Sequence, residues 1–175
     1  YYYPGQDYGR PLEHLTLSAE GGRFNTGIEV GKEILSGQDW RETAIADVRA
    51  RDISIEAKGG TVSGRSGSYG IRAHGFGPVS GDYYGDGWRL VTASVAAQNV
   101  DIKVSSPKNA VGVQADGNAA SAIISALSEY EDGRYHGGDR IEHPITVTIS
   151  CAITGNDQLR GIALEALNGG LVKIK

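Results

Sequence analysis

"SYGIRAHG" at 68–75 and "AVGVQADG" at 110–117 share one pattern: Gly, then Ile or Val, any residue, Ala, any residue, Gly. A shape that returns at a fixed interval restricts a chain more than any composition does, because each copy must find the same environment. Four segments superimpose on this pattern: 15–30, 53–73, 100–115 and 149–164. Each begins with two apolar residues two apart, Leu15/Leu17, Ile53/Ile55, Val100/Ile102 and Ile149/Cys151. Each then reaches Gly-Ile or Gly-Val, at Gly27, Gly70, Gly112 and Gly161. The interval from first apolar residue to glycine is 12 in three copies and 17 in the second. Successive glycines lie 43, 42 and 49 residues apart (27 to 70, 70 to 112, 112 to 161).

The apolar residues alternate with polar ones, the pattern of short strands with one buried face. "WRETAIADV" at 40–48 and "WRLVTASV" at 88–95 add a strand before copies two and three. Helical spacing arises only in "NAASAIISALSEYED", 118–132, where Ile123, Ile124 and Leu127 share a helix face. A short helix there competes with a strand followed by a loop. A unit of this size cannot bury its apolar face alone, and stacking the units would. A solenoid coil takes about twenty residues, so each unit reads as two coils and the chain as roughly eight. A propeller of similar period is disfavoured by the absence of its Gly-His and Trp-Asp marks, and a β-sandwich remains an alternative. The four glycines then mark corners, where positive φ or close packing excludes a side chain. Ile28, Ile71, Val113 and Ile162 form one expected inward ladder, and Leu17, Ile55, Ile102 and Cys151 a second.

"DISIEAKGGTVSGRSGSYGIRAHG" and "VDIKVSSPKNAVGVQADG" resemble passenger repeats of Gram-negative autotransporter adhesins, and the resemblance extends over about residues 12–175. It implies a right-handed parallel β-helix, export to the cell surface, and adhesion rather than catalysis. The expected architecture is therefore all-β: a right-handed parallel β-helix (β-solenoid) of roughly eight coils in four units, a single segment spanning 1–175 with 1–14 as an N-terminal lead-in or cap. The chain contains no Met, so it is read as a slice of a longer protein. Its last strand, 171–174, is expected to leave an edge open to end-to-end association.

Composition narrows the function. Seventeen Lys and Arg against 21 Asp and Glu give a net charge of -4, which argues against a nucleic-acid or anionic-membrane surface. The single cysteine, Cys151, forms no internal disulfide and lies in an apolar run, where it reads as a buried small hydrophobe. "GIEVGKE" at 27–33 has the wrong spacing for a phosphate loop, and Glu33 stands where Ser or Thr is required. "GRSGSYG" at 64–70 is not a nucleophile elbow. His14, His74, His136 and His143 show no metal-ligand spacing, so no metal site is expected from them.

Two loops concentrate chemistry. "GDYYGDGW" holds Asp82, Tyr83, Tyr84, Asp86 and Trp88; "SEYEDGRYHGGD" holds Glu129, Tyr130, Glu131, Asp132, Tyr135 and Asp139. Aromatics beside carboxylates suit stacking on sugars and hydrogen bonding to their hydroxyls. Tyr83, Tyr84, Trp88, Tyr130 and Tyr135 with Asp82 and Asp86 are the ligand-binding candidates. Trp88, like Trp40, has an alternative role as a packing residue at a strand start. No cofactor is expected, although an acidic Gly-rich loop allows calcium. The leading function is a non-enzymatic, secreted or surface-exposed adhesin binding a glycan or a host surface protein. The alternative is a carbohydrate-active enzyme, a polysaccharide lyase or glycosidase, working through loop carboxylates.

Overall fold

A computed structural model describes residues 12–33, 44–59, 67–76, 91–130, 140–155 and 161–175. Thirteen strands follow one another, with no helix among the described residues. They are β1 (Leu12–Glu20), β2 (Phe24–Glu33), β3 (Ala44–Lys58), β4 (Gly67–Phe76), β5 (Val91–Ala97), β6 (Asn99–Ser106), β7 (Ala110–Asp116), β8 (Ala120–Ala126), β9 (Ser128–Tyr130), β10 (Arg140–Glu142), β11 (Thr146–Ile153), β12 (Ile162–Leu167) and β13 (Leu171–Ile174).

Two parallel sheets hold eleven of these strands. One is seven-stranded, in the order β11-β6-β3-β5-β8-β13 with β1 also paired to β3; the other is four-stranded, β12-β7-β4-β2. Strands β9 and β10 make a separate antiparallel pair. One of the two sheets is a half-barrel, and β3 belongs to two sections of the seven-stranded sheet. Ala44–Arg49 pair with β5, and Asp52–Lys58 pair with β1 and β6. Each sequence unit supplies one strand to each of the two sections and one to the four-stranded sheet, making a tier. Parallel pairing needs a crossover between neighbours, and here the crossover is the rest of the tier.

The core lies between the seven-stranded and the four-stranded sheet. Leu17, Ile55, Ile102 and Ile149 are directly paired along one row, and Ile28, Ile71 and Val113 along another. Ile55, Ile71, Ile102 and Val113 are completely buried. Burying each contributes about 1.5–3 kcal/mol relative to leaving it in water, as the β-branched chains fill the pleated faces. The middle tiers are the most enclosed. Leu12, Phe24 and Ile45 in the first tier and Ile162, Leu164, Leu167 and Ile174 in the last are exposed.

Several expectations are corrected. The described residues do not form the right-handed β-helix of eight coils; they form the two parallel sheets above. The division into twenty-residue coils fails because a unit passes through three sheet sections once, with β3 running unbroken for 15 residues. The described part of the 118–132 stretch, 118–130, holds no helix, and the strand alternative stands there. Ala120–Ala126 are strand β8, paired to β5 from Val91↔Ala120 to Ala97↔Ala126. Burial between two parallel neighbours outweighs the helix preference of its alanines.

The fourth unit is also registered differently. Ile149, not Cys151, continues the Leu17–Ile55–Ile102 row, and Cys151 pairs with Val104. Ile162 pairs with Val111 while Leu164 pairs with Val113, so Leu164 continues the Ile28–Ile71–Val113 row. Ile162 is exposed, not inward and buried. Gly27, Gly70 and Gly112 lie within strands rather than at corners, and none has positive φ. They are stacked, and a Cβ on Gly70 would lie 2.6 Å from the Gly112 carbonyl oxygen and run into Ile102 Cγ2. Close approach is therefore the reason for glycine there. Gly161 precedes β12 and is not in this row; Ala163 takes the place. Positive φ belongs instead to Gly21, Gly117 and Gly169, in turns between strands.

Candidate functional site

Of the seven ligand-binding candidates, Asp82, Tyr83, Tyr84, Asp86, Trp88 and Tyr135 lie outside the described residues, as do Glu131, Asp132 and Asp139. The backbone of Tyr130 ends β9, opposite Arg140 of β10. The ends that carry these segments are defined. Residues 77–90 connect Phe76 at the end of β4 to Val91 at the start of β5. Residues 131–139 close the β9–β10 pair, whose base is held by Leu127 N–H on Ala97 O at 3.1 Å and His143 N–H on Leu127 O at 3.3 Å. In sequence each segment follows the Gly-Ile/Val strand of its unit, which by itself would put both on one side of the stack. Their attachment points are at opposite ends of the β5–β8 section, and a seven-residue parallel strand spans about 23 Å.

The described residues bring together a different set, on the four-stranded sheet. Glu29, Arg72, Gln114 and Glu165 occupy one row across β2, β4, β7 and β12. Arg72 Nη1 donates to Glu29 Oε1 at 3.3 Å, and its Nε donates to Gln114 Oε1 at 2.8 Å. Gln114 Nε2 donates to Glu165 Oε2 at 2.6 Å. His74 Nε2 lies 3.2 Å from the same Glu29 oxygen, and the Arg72 guanidinium stands 4.7 Å from the centre of the Tyr69 ring. Asn109 Nδ2 donates to the Tyr69 hydroxyl at 3.2 Å. Gln114 is buried and Arg72 partly so, which makes these bonds stronger than the same contacts in water.

Each member sits two residues after the row of Gly27, Gly70, Gly112 and Ala163. It is the variable position of the Gly-Ile/Val-x-Ala pattern, so aligning the repeats by strand register is the signal that finds the row. The pairing uses up its polar groups between neighbouring strands. Arg72 spends its Nε on Gln114 and an Nη1 hydrogen on Glu29, with its guanidinium over the Tyr69 ring. Glu29 and Glu165 lie on the outer strands of the sheet, three strand spacings or about 14 Å apart. A carboxylate pair that cleaves glycosides stands about 5–9.5 Å apart. In the row, Arg72 and Gln114 stand between the two carboxylates, and each carboxylate is bonded to its neighbour.

The seven-stranded sheet carries a second set of polar contacts, across strands and, for Lys103 with Asp101, along β6. His14 Nδ1 lies 2.8 Å from Asp52 Oδ2, and Asn99 Nδ2 donates to Asp52 Oδ1 at 2.7 Å. Arg51 pairs with Glu13, Lys58 with Glu20 and Lys103 with Asp101. Hydrogen bonds that Lys58 and Lys103 donate to Glu20 and Asp101 raise the pKa values of the two lysines. These pairs are exposed and are worth little individually. Among the described residues no group of three or more His, Cys, Asp or Glu could hold a metal ion. Cys151 is half-buried, its thiol donates to Ile162 O at 3.3 Å, and burial pushes its pKa up while the Gly112 backbone partly opposes this. A protonated thiol is a weak nucleophile.

The Ser68 hydroxyl is fully buried without a hydrogen-bond partner, in the row of Asn25 and Ala110. No helix among the described residues is long and apolar enough to cross a membrane. No family model, no curated protein and no solved structure matches the chain.

Proposed function

We propose that the chain is a non-enzymatic, secreted or surface-exposed binding segment of the autotransporter-adhesin kind, with the parallel sheets as scaffold and the aromatic connecting segments as the ligand surface. One observation carries the reading: the polar side chains found together on the sheets are engaged with one another, strand to strand. Glu29, Arg72, Gln114 and Glu165 form a closed chain of bonds, and Asp52 is shared by His14 and Asn99. Such pairs hold register and leave little for a ligand. The chemistry suited to recognition is then in 77–90 and 128–142, with Tyr83, Tyr84 and Trp88 in the first and Tyr130 and Tyr135 in the second. Aromatic faces stack on the apolar faces of sugar rings, and Asp82 and Asp86 accept from hydroxyls. Glycans are the proposed ligand class. Catalysis by paired carboxylates gains no support from the spacing of Glu29 and Glu165.

The test is a glycan array probed with the purified chain, repeated with Tyr83, Tyr84 and Trp88 changed together to Ala and with Tyr130 and Tyr135 changed together to Ala. Calcium and a chelator are compared in parallel. The expected result is selective binding that falls at least about tenfold in one variant, a loss of roughly 1.4 kcal/mol. Binding to no glycan, binding unchanged in both variants, or turnover of a bound glycan would each overturn the reading.

A further inference from the structure

Asn25, Ser68 and Ala110 form one row near the starts of β2, β4 and β7, and all three are buried. In the first tier Asn25 is satisfied by the turn before it. The Gly22 N–H donates to Asn25 Oδ1 at 3.0 Å, and Asn25 Nδ2 donates to the Gly22 carbonyl at 2.9 Å. In the second tier the same place is taken by Ser68. Its hydroxyl hangs one bond nearer the backbone than a carboxamide oxygen, and it has no hydrogen-bond partner among the described residues although the residue is completely buried. A buried hydroxyl left unbonded is costly, and native interiors seldom keep one.

The surroundings of Ser68 show where a partner would stand. A Cβ built on Gly59 would lie 2.9 Å from Ser68 Oγ and 3.2 Å from Ser106 Oγ. Both hydroxyls therefore face the side of Gly59 that bears no side chain. Ser106 is also completely buried; its oxygen accepts a long bond, 3.5 Å, from the Lys108 N–H, and as a hydroxyl it can still donate. The nearby main-chain donors are spent, Gly59 N–H on Ser105 O and Ser68 N–H on Asn109 O, each at 2.8 Å. Gly59 does not have positive φ. Its backbone therefore does not demand glycine, and the space beside it does. Ser68 lies on β4, between β2 and β7, and Ser106 on β6, between β3 and β11, so the place is internal to the stack.

We infer that one water molecule is bound between the Ser68 and Ser106 hydroxyls, against the bare α-carbon of Gly59. It does in the second tier what the Asn25 carboxamide does in the first, extending a short side chain far enough to complete its hydrogen bonds. Water suits the place because it donates and accepts, and two hydroxyls are enough partners for a buried water. An apolar occupant would leave both hydroxyls unpaired. A calcium ion would need six or more oxygen ligands, far more than two hydroxyls supply. The site also gives glycine at 59 its reason, since an alanine methyl would take the water's space.

The test combines oxygen-17 magnetic relaxation dispersion, which counts long-lived waters and is blind to exchanging hydroxyl protons, with urea unfolding of the full chain. The variants are Ser68→Ala, Ser68→Asn and Gly59→Ala, each checked for folding by far-UV circular dichroism. Wild type should hold one more long-lived water than Ser68→Asn, whose carboxamide replaces it, and than Gly59→Ala, whose methyl expels it. Ser68→Ala should raise the unfolding equilibrium constant about three- to tenfold, because a completed hydrogen bond is lost. A dry, unpaired hydroxyl gives the opposite sign, since its removal relieves a cost. Ser68→Ala at least as stable as the wild type would therefore overturn the inference, and so would equal dispersion amplitudes in wild type and the folded Ser68→Asn or Gly59→Ala chains. Ser68→Ala only removes an atom, so its stability decides the question even where the larger residues prevent folding.

Discussion

Replacing Gly70 by Ala probes the most crowded point of the stack. Gly70 is buried in β4 with β2 on one side and β7 on the other, so neither neighbour can retreat without moving a further tier. The added methyl would sit 2.6 Å from the Gly112 carbonyl oxygen and against Ile102 Cγ2. Ile102 is fully buried and cannot swing aside. Forcing one extra carbon into a packed interior costs about 1–3 kcal/mol. Alanine also restricts the unfolded chain, which returns about 0.4–1 kcal/mol. The net expectation is a loss of about 1–2 kcal/mol, or about 2–8 °C in melting temperature for a chain of this size. Thermal and urea unfolding followed by far-UV circular dichroism measures it. A double-mutant cycle with Ile102→Ala isolates the steric contact. Ile102→Ala alone should cost about 2–5 kcal/mol. Part of the Gly70→Ala penalty should disappear in its presence, by about 0.5 kcal/mol or more. A Gly70→Ala protein as stable as the wild type, or strictly additive effects, would refute close packing as the reason for the glycine row.

Val113→Asp, which buries an unpaired charge at a fully enclosed site, should prevent folding, whereas Leu164→Asp at the exposed end of the same row should leave a folded protein by circular dichroism. Gln114→Leu removes the acceptor of Arg72 Nε and the donor to Glu165, and should lower stability by about 1–3 kcal/mol in urea titration. Burial raises the Cys151 pKa, so alkylation by iodoacetamide near pH 8.5 should be slower in the folded chain than in urea. The same shift acts on stability only at alkaline pH. Below the thiol's unfolded pKa both states are protonated and nothing changes; above it the unfolded chain loses the proton first, so stability should fall as pH rises through that range, and Cys151→Ala should remove this component.

Strand content and the inward alternation were legible because they depend only on period two. Ile28, Ile71 and Val113 in one row, and Leu17, Ile55 and Ile102 in the other, are where the alternation puts them. The tier itself was not legible. A unit of 42–49 residues divides equally well into two short coils or one pass through three sheet sections, and no turn residue inside β3 announces that Ala44–Lys58 serve two of them. In 118–130 local preference and fold pull apart, since the alanines favour a helix while the partners β5 and β13 require the strand that the sequence reading held as its alternative.

The register of the fourth unit shows how the pattern reached its limit. A slip of one residue turns every apolar side chain to the wrong face, but a slip of two restores the alternation. Val147, Ile149, Cys151 and Ile153 all pack against the core, so apolar spacing alone could not choose between Ile149 and Cys151 as the partner of Ile102. The glycine at 161 then seemed to choose, because it repeated the interval of 12. In the structure that glycine lies outside the row, and Ala163 lies in it, beside Gly112. The polar row was hidden by the same slip: once Ala163 is aligned with Gly112, Glu29, Arg72, Gln114 and Glu165 fall into line two residues on. A repeat written in glycines thus becomes informative at the copy that breaks it.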